Sequence, residues 1–157
     1  MYTIVLENIR SAWNVGSIMR TCDALGYEVI FVGYTPKPEG KTLDMVKKTS
    51  IGAEESVKWQ YYSHPQEVFA LFESSSHYGI EINNKSMDII DFSKKMLPKD
   101  GSYLWFGNEI SGLSEVVEKN VEALLHLPMK GIKESLNVAT SVTATGYLLE
   151  AIKSALY

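Results

Sequence analysis

The sequence predicts an α/β protein with a Rossmann-like, mostly parallel sheet and helices on both faces. Three observations predict it. Short apolar runs recur at Tyr2–Leu6, Glu28–Val32, Ser56–Trp59, Tyr78–Ile82, Tyr103–Phe106 and Ala123–Leu127. Helical periodicity fills several of the intervals between them. The chain is 157 residues long and 45% hydrophobic, with no internal repeat, which is the size and apolar content of one compact domain over residues 1–157.

The first run leads into a helix predicted over Asn14–Leu25, where Val15, Ile18, Cys22 and Leu25 recur at helical spacing. Asn14 is the expected N-cap, and Gly26 the expected stop just past the end. Tyr34–Gly40 reads as a Pro/Gly surface loop, too short to separate domains. Further helices are expected at Gln66–Glu73, just after Ser114, and from about Leu136 to Leu156. In the last of these, Ala139, Thr143 and Gly146 share roughly one side. A glycine inside a helix costs about 1 kcal/mol against alanine. That face is therefore expected to pack closely against another helix, from this chain or a second one.

Composition removes several classes. Five prolines and 22% charged residues do not fit a disordered chain. No apolar run approaches the roughly 20 residues of a membrane span. The N-terminus lacks a basic segment followed by a long apolar stretch, so a signal peptide is not expected. The single cysteine, Cys22, excludes an internal disulfide and a cysteine-cluster metal site. A cytoplasmic protein without a metal is the expectation. The net charge of −4 argues against a nonspecific nucleic-acid coat. Residues 61–125 carry five Lys/Arg against ten Asp/Glu, so the two ends of the chain can still form a less negative face.

In open parallel sheets, ligands bind outside the carboxyl ends of the strands. Three such ends carry unusual residues: Glu7–Asn14, Gly107–Ser114 and Pro128–Asn137. Arg20 points away from the apolar stripe of its helix, about 200° from Ile18. It is either a solvated arginine or one held over a cleft, where its planar fork can grip phosphate or steady an oxyanion. Asn14 serves as a cap or orients a neighbouring arginine. Gly107 and Gly112 frame a polar loop that a ligand can approach closely, and Glu109 faces that ligand or is a loop charge. Neither G-x-G-x-x-G nor G-x-x-x-x-G-K-[ST] occurs, so a dinucleotide or a P-loop nucleotide is not supported. Ser135 reads as the N-cap of the last helix, which leaves Asn137 unexplained inside the first turn. His64, His77 and His126 are in no metal spacing and read as sheet or surface residues. Trp13, Trp59 and Trp105 read as core or interface anchors.

Together the segments resemble three motifs of the SPOUT superfamily, specifically the SpoU (TrmH-type) RNA ribose 2′-O-methyltransferases. Asn14-Val15-Gly16 followed by Arg20-Thr21 and Gly26 resembles the first motif, and Gly107-Asn108-Glu109-Ile110-Ser111-Gly112-Leu113-Ser114 the second. Leu127-Pro128-Met129-Lys130-Gly131 with Ser135-Leu136-Asn137-Val138-Ala139 resembles the third, and Lys47-Lys48-Thr49-Ser50-Ile51-Gly52-Ala53-Glu54 a further family segment. The motifs stand in the family's order and span nearly the whole chain. Trp13 stands where the family commonly has proline, and Asn108 where serine is usual.

The resemblance implies a C-terminal trefoil knot, a rare exception to unknotted chain connections. It implies S-adenosylmethionine held in the knot by Gly107, Leu127 and Leu136, with Pro128 and Met129 beside them. It also implies a homodimer with the active site at the subunit interface, and an RNA substrate, tRNA ahead of rRNA. By position, Arg20 would act on the 2′-hydroxyl, Asn14 would orient Arg20, and Glu109, Ser135 and Asn137 would shape the site. Arg10, Lys41, Lys47, Lys48, Lys130 and Lys133 would contact RNA phosphates. A non-catalytic RNA-binding or assembly factor on the same fold is the alternative.

Overall fold

The computed structural model describes residues 1–156. Its strands are β1 (Thr3–Glu7), β2 (Glu28–Val32), β3 (Trp59–Tyr62), β4 (His77–Ile80), β5 (Met87–Asp88), β6 (Tyr103–Phe106) and β7 (Ala123–His126). They form one sheet in the order β3-β2-β1-β6-β4-β7-β5, and every ladder in it is parallel. The helices are α1 (Ala12–Leu25), α2 (Leu43–Ser50), α3 (Ala53–Ser56), α4 (Pro65–Leu71), α5 (Ile89–Lys95), α6 (Glu115–Asn120) and α7 (Val138–Leu156).

A parallel strand buried on both faces must be apolar at odd and even positions alike. The central strands meet that requirement and feed two cores. Ile4, Leu6, Val29, Phe31, Leu104 and Phe106 pack with Val15, Ile18 and Met19 of α1, Ile89 of α5, and Val142 and Leu149 of α7. Val5, Ile30, Val32 and Trp105 face the other way, onto Val68 of α4 and Val117 of α6. Helices therefore cover both faces, as expected.

Several local expectations change. The helix predicted from Asn14 starts earlier, because Ser11 is its cap: the Ser11 hydroxyl accepts from Asn14 N–H at 3.2 Å. Gly26 does end the helix, at φ 68°. The third strand begins at Trp59 rather than Ser56, because Ser56 closes α3 and its hydroxyl bonds Asp23 of α1. The fourth ends at Ile80, so Glu81 stands outside it. The unforeseen helix α2 buries Val46 and Ser50. β5 and α5 were also unforeseen; Asp88 caps α5 by accepting from Ile90 N–H at 2.7 Å. Gly146 is buried and faces Leu25 and Tyr27 of this same chain.

His77 has a structural assignment. Trp105 Nε1–H donates to its Nδ1 at 3.0 Å, and its Nε2 lies 3.0 Å from the Phe72 carbonyl. Nδ1 must therefore accept and Nε2 donate, which only the neutral ring can do. Burial pushes the His77 pKa below its ordinary value, against the opposing pull of the Phe72 carbonyl and Glu122. A histidine whose folded pKa is lowered contributes stability above its unfolded pKa and loses it as pH falls. The thermal midpoint is expected to decline as pH drops below about 6.5, the unfolded histidine value. That decline should flatten in His77→Gln, as differential scanning fluorimetry across pH would show.

Candidate active site at the strand ends

The loops after β1, β6 and β7 converge at the carboxyl edge of the sheet, and Glu109 ties the first two together. Its Oε2 accepts from Arg10 N–H at 2.9 Å, and its Oε1 from Ser11 N–H at 3.2 Å and Asn14 Nδ2 at 3.1 Å. Burial opposes ionisation of Glu109, but the donors at Arg10, Asn14 and Ser11 outweigh it and hold the carboxyl below its ordinary range. Asn14 Oδ1 in turn accepts from Asn137 Nδ2 at 3.1 Å. Asn137 Oδ1 accepts from Ala139 N–H at 2.9 Å and Thr140 N–H at 3.3 Å. Asn137, not Ser135, is thus the cap of α7. Its place at the helix start, unexplained by the sequence, is a capping position joined to α1. Asn137→Ala is expected to remove about 0.5–2 kcal/mol of stability, the usual value of such a cap. Urea denaturation would measure it.

Asn108 shapes the second loop. Its Nδ2 donates to the Asn8 carbonyl at 2.8 Å and to Tyr34 Oη at 2.9 Å, while its Oδ1 accepts from Ile110 and Ser111 N–H at 2.9 Å each. Asn108 and Gly112 also exchange both backbone hydrogen bonds. This folds the loop back on Gly107 so tightly that a Cβ there would lie 2.2 Å from the Gly112 carbonyl carbon. Only glycine fits.

A cleft of about 440 Å³ opens beside this loop, within the range of small-ligand sites. Gly107, Leu127 and Leu136 line it together with Phe106, Ile80 and Val138. Pro128 and Met129 do not; Pro128 is exposed and Met129 half-buried. The lining holds three carboxylates, Glu81, Glu109 and Glu134, and no lysine or arginine. Such a lining repels phosphate and suits a cationic ligand with an apolar body. S-adenosylmethionine, a sulfonium with an adenine ring, fits that description.

A second, wider cleft of about 860 Å³ lies across α1 and α7. Asn14, Arg20, Trp13, Lys48, Asn137 and Tyr147 are among its lining. Asn137 lines both clefts, so it marks their junction, and Ser135 lines only the first. Arg20 is exposed, and among the described residues no carboxylate pairs with it. Asn14 shares the cleft with Arg20, but its amide is turned to Glu109 and Asn137. Of the other basic residues, Lys48 lines the second cleft, and Lys47 is its neighbour on α2. Arg10, Lys41, Lys130 and Lys133 are exposed, the last two on the loop leading to α7.

Sequence reasoning missed Glu81 and His126 as lining residues of the first cleft. Both were assigned to strand interiors. A charged residue straight after an apolar run was the available signal for Glu81. His126 is held by Ser86, whose hydroxyl lies 2.9 Å from Nδ1.

Comparison with known proteins agrees with this geometry. The profile of the SpoU rRNA Methylase family matches residues 1–147. An uncharacterized tRNA/rRNA methyltransferase of Borreliella burgdorferi is 28% identical over 152 residues, covering 97% of this chain and 63% of its own. The tRNA (guanosine(18)-2′-O)-methyltransferase of Thermus thermophilus is 31% identical over 161 residues, covering 99% of this chain and 78% of its own. The SpoU methyltransferase AviRb from Streptomyces viridochromogenes, solved in complex with the cofactor AdoMet, superimposes with a TM-score of 0.81 at 26% identity. That match covers 99% of this chain and 60% of AviRb, so the chain spans about three-fifths of some relatives and more of others. With the motifs in order, the parallel sheet and a family profile over nearly its whole length, the chain belongs to the SpoU rRNA methylase family.

Proposed function

We propose that this protein transfers a methyl group from S-adenosylmethionine to a ribose 2′-hydroxyl of RNA, tRNA first and rRNA next. The observation that carries this reading is the junction of two unlike clefts at Asn137, one acidic and glycine-lined, the other holding an unpaired arginine. Support comes from relatives named as tRNA (guanosine(18)-2′-O)- and 23S rRNA (guanosine-2′-O-)-methyltransferases. When bound, the cofactor supplies a methyl carbon already activated by its sulfonium. The protein's task is then the hydroxyl, which is a weak nucleophile while protonated. Arg20 stabilises the oxygen as negative charge develops and holds an adjoining phosphate with its fork. Guanidinium stays protonated at working pH, so it is a poor general base, and the proton leaves to water or to the substrate's own phosphate. The Glu109–Asn14–Asn137 chain keeps the two clefts in register, which is what alignment of oxygen, carbon and sulfur requires.

We further propose that the protein is a cytoplasmic homodimer, that residues 128–137 complete the family's knot, and that Lys47 and Lys48 help to hold RNA. Trp13, Ile51 and Tyr147 support the dimer: they are 56%, 65% and 53% exposed, and all three line the second cleft, where a partner subunit would cover them. Trp13→Glu is expected to shift the protein to monomer in analytical ultracentrifugation, and an unchanged dimer would move the interface elsewhere. The test of the activity is transfer of labelled methyl to total tRNA and rRNA, with calorimetry for S-adenosylmethionine. Cofactor binding without transfer to any RNA would favour a non-catalytic RNA-binding role.

A further inference from the structure

We propose that Glu81 reads the ribose diol of the bound cofactor and so sets the protein's selectivity for an intact ribonucleoside ligand. The inference rests on the reading that the first cleft holds S-adenosylmethionine.

Glu81 is the first residue beyond β4. The ladder pairs Ile80 with Leu125, and Glu81 N–H still donates to the Leu125 carbonyl at 2.9 Å. The side chain therefore leaves the sheet at its carboxyl edge, beside the strand that delivers Leu127 to the cleft. It is half-buried and held on two sides: Oε2 accepts from Leu113 N–H at 2.9 Å and Oε1 from Ile82 N–H at 3.2 Å. Gly112, at φ 71°, makes room for it, since a Cβ there would meet Oε2 at 2.3 Å.

A carboxylate offers about four acceptor positions. The two backbone donors leave about two, on a group that lines the cleft. Adjacent ribose hydroxyls are two donors spaced for one carboxylate, and an acidic side chain at a strand's carboxyl end is a general solution for gripping ribose in open parallel sheets. The other two carboxylates of the cleft are less suited. Glu109 is engaged by Arg10, Ser11 and Asn14, and Glu134 stands exposed on the loop before α7. Glu81 alone is both held in place and unfilled.

The test is calorimetry on the full chain with S-adenosylhomocysteine and its 2′-deoxy and 3′-deoxy derivatives, using the natural protein, Glu81→Gln and Glu81→Ala. The natural protein is expected to bind at least one deoxy ligand roughly ten- to a hundredfold more weakly than the parent, the range for hydrogen bonds to a charged group. Both variants should bind the parent as weakly as the natural protein binds that deoxy ligand, and should no longer distinguish the two. A purely structural role, through a loosened Leu113 amide, would weaken parent and deoxy ligands equally and keep the discrimination. That result overturns the proposal, as does a natural protein indifferent to both deoxy ligands. Failure of the natural protein to bind S-adenosylhomocysteine at all overturns the cofactor reading, and this inference with it.

Discussion

Arg20→Ala is expected to lower methyl transfer by about 100- to 1,000-fold, the range for removing one donor to a developing oxyanion, while affinity for S-adenosylhomocysteine stays near its original value. The separation follows from geometry. Arg20 lines the wide cleft across α1 and α7 and takes no part in the glycine-lined cleft beside β6. It points away from the apolar core of α1, so its loss leaves no cavity there. Arg20→Lys keeps the charge and loses the planar fork, so it should restore only part of the rate. The measurement is labelled-methyl transfer at saturating cofactor, with calorimetry run in parallel. Near-normal transfer by Arg20→Ala would remove Arg20 from the mechanism.

Gly107→Ala should act in the opposite sense, on cofactor affinity before rate. An added Cβ would meet backbone: the Gly112 carbonyl carbon at 2.2 Å and Leu113 N at 2.3 Å. Backbone cannot swing aside as a side-chain end can, so the loop between Asn108 and Leu113 must shift. Overpacking of this kind costs about 1–3 kcal/mol, and at about 1.4 kcal/mol per decade the affinity should fall by roughly ten- to a hundredfold. No ladder of the sheet runs through residues 108–112, so the variant is expected to remain folded by circular dichroism. Calorimetry with S-adenosylhomocysteine reads the effect, and unchanged affinity would place the ligand elsewhere.

How far these features were legible depends on how local they are. β1, β2, β6 and β7 show as apolar runs because both of their faces are buried, and the central sheet follows from them. α2 and α5 were not foreseen, and each buries only two residues of its own; α4 and α6 bury one each but start at the signals Pro65 and Ser114. Glu109 and Asn137 were legible as types in strand-end segments, and Arg20 as a charge off the apolar stripe of its helix. Their connections were not. Glu109 meets Arg10 across 99 positions, and Asn137 meets Asn14 across 123. The two caps were misassigned for a related reason. Ser11 and Asn14, like Ser135 and Asn137, are equally good capping types, and which of them caps is decided by contacts to a distant loop. Glu81 was hidden by a two-residue error in the end of β4, which shows how much at such a site turns on where a strand stops.

The bond between Asn14 and Asn137 also has a consequence in time. Residue 14 leaves the ribosome long before residue 137, and everything between them must be ordered before the two amides can meet. Closing so long a loop is slow, because its entropy is lost before the contact is made. The centre of the sheet carries the same burden, because every ladder is parallel and β1 pairs with β6 from Thr3 to Tyr103. The proposed activity therefore needs α7 docked on α1, and a chain that stops short of that contact would lack the junction of the clefts.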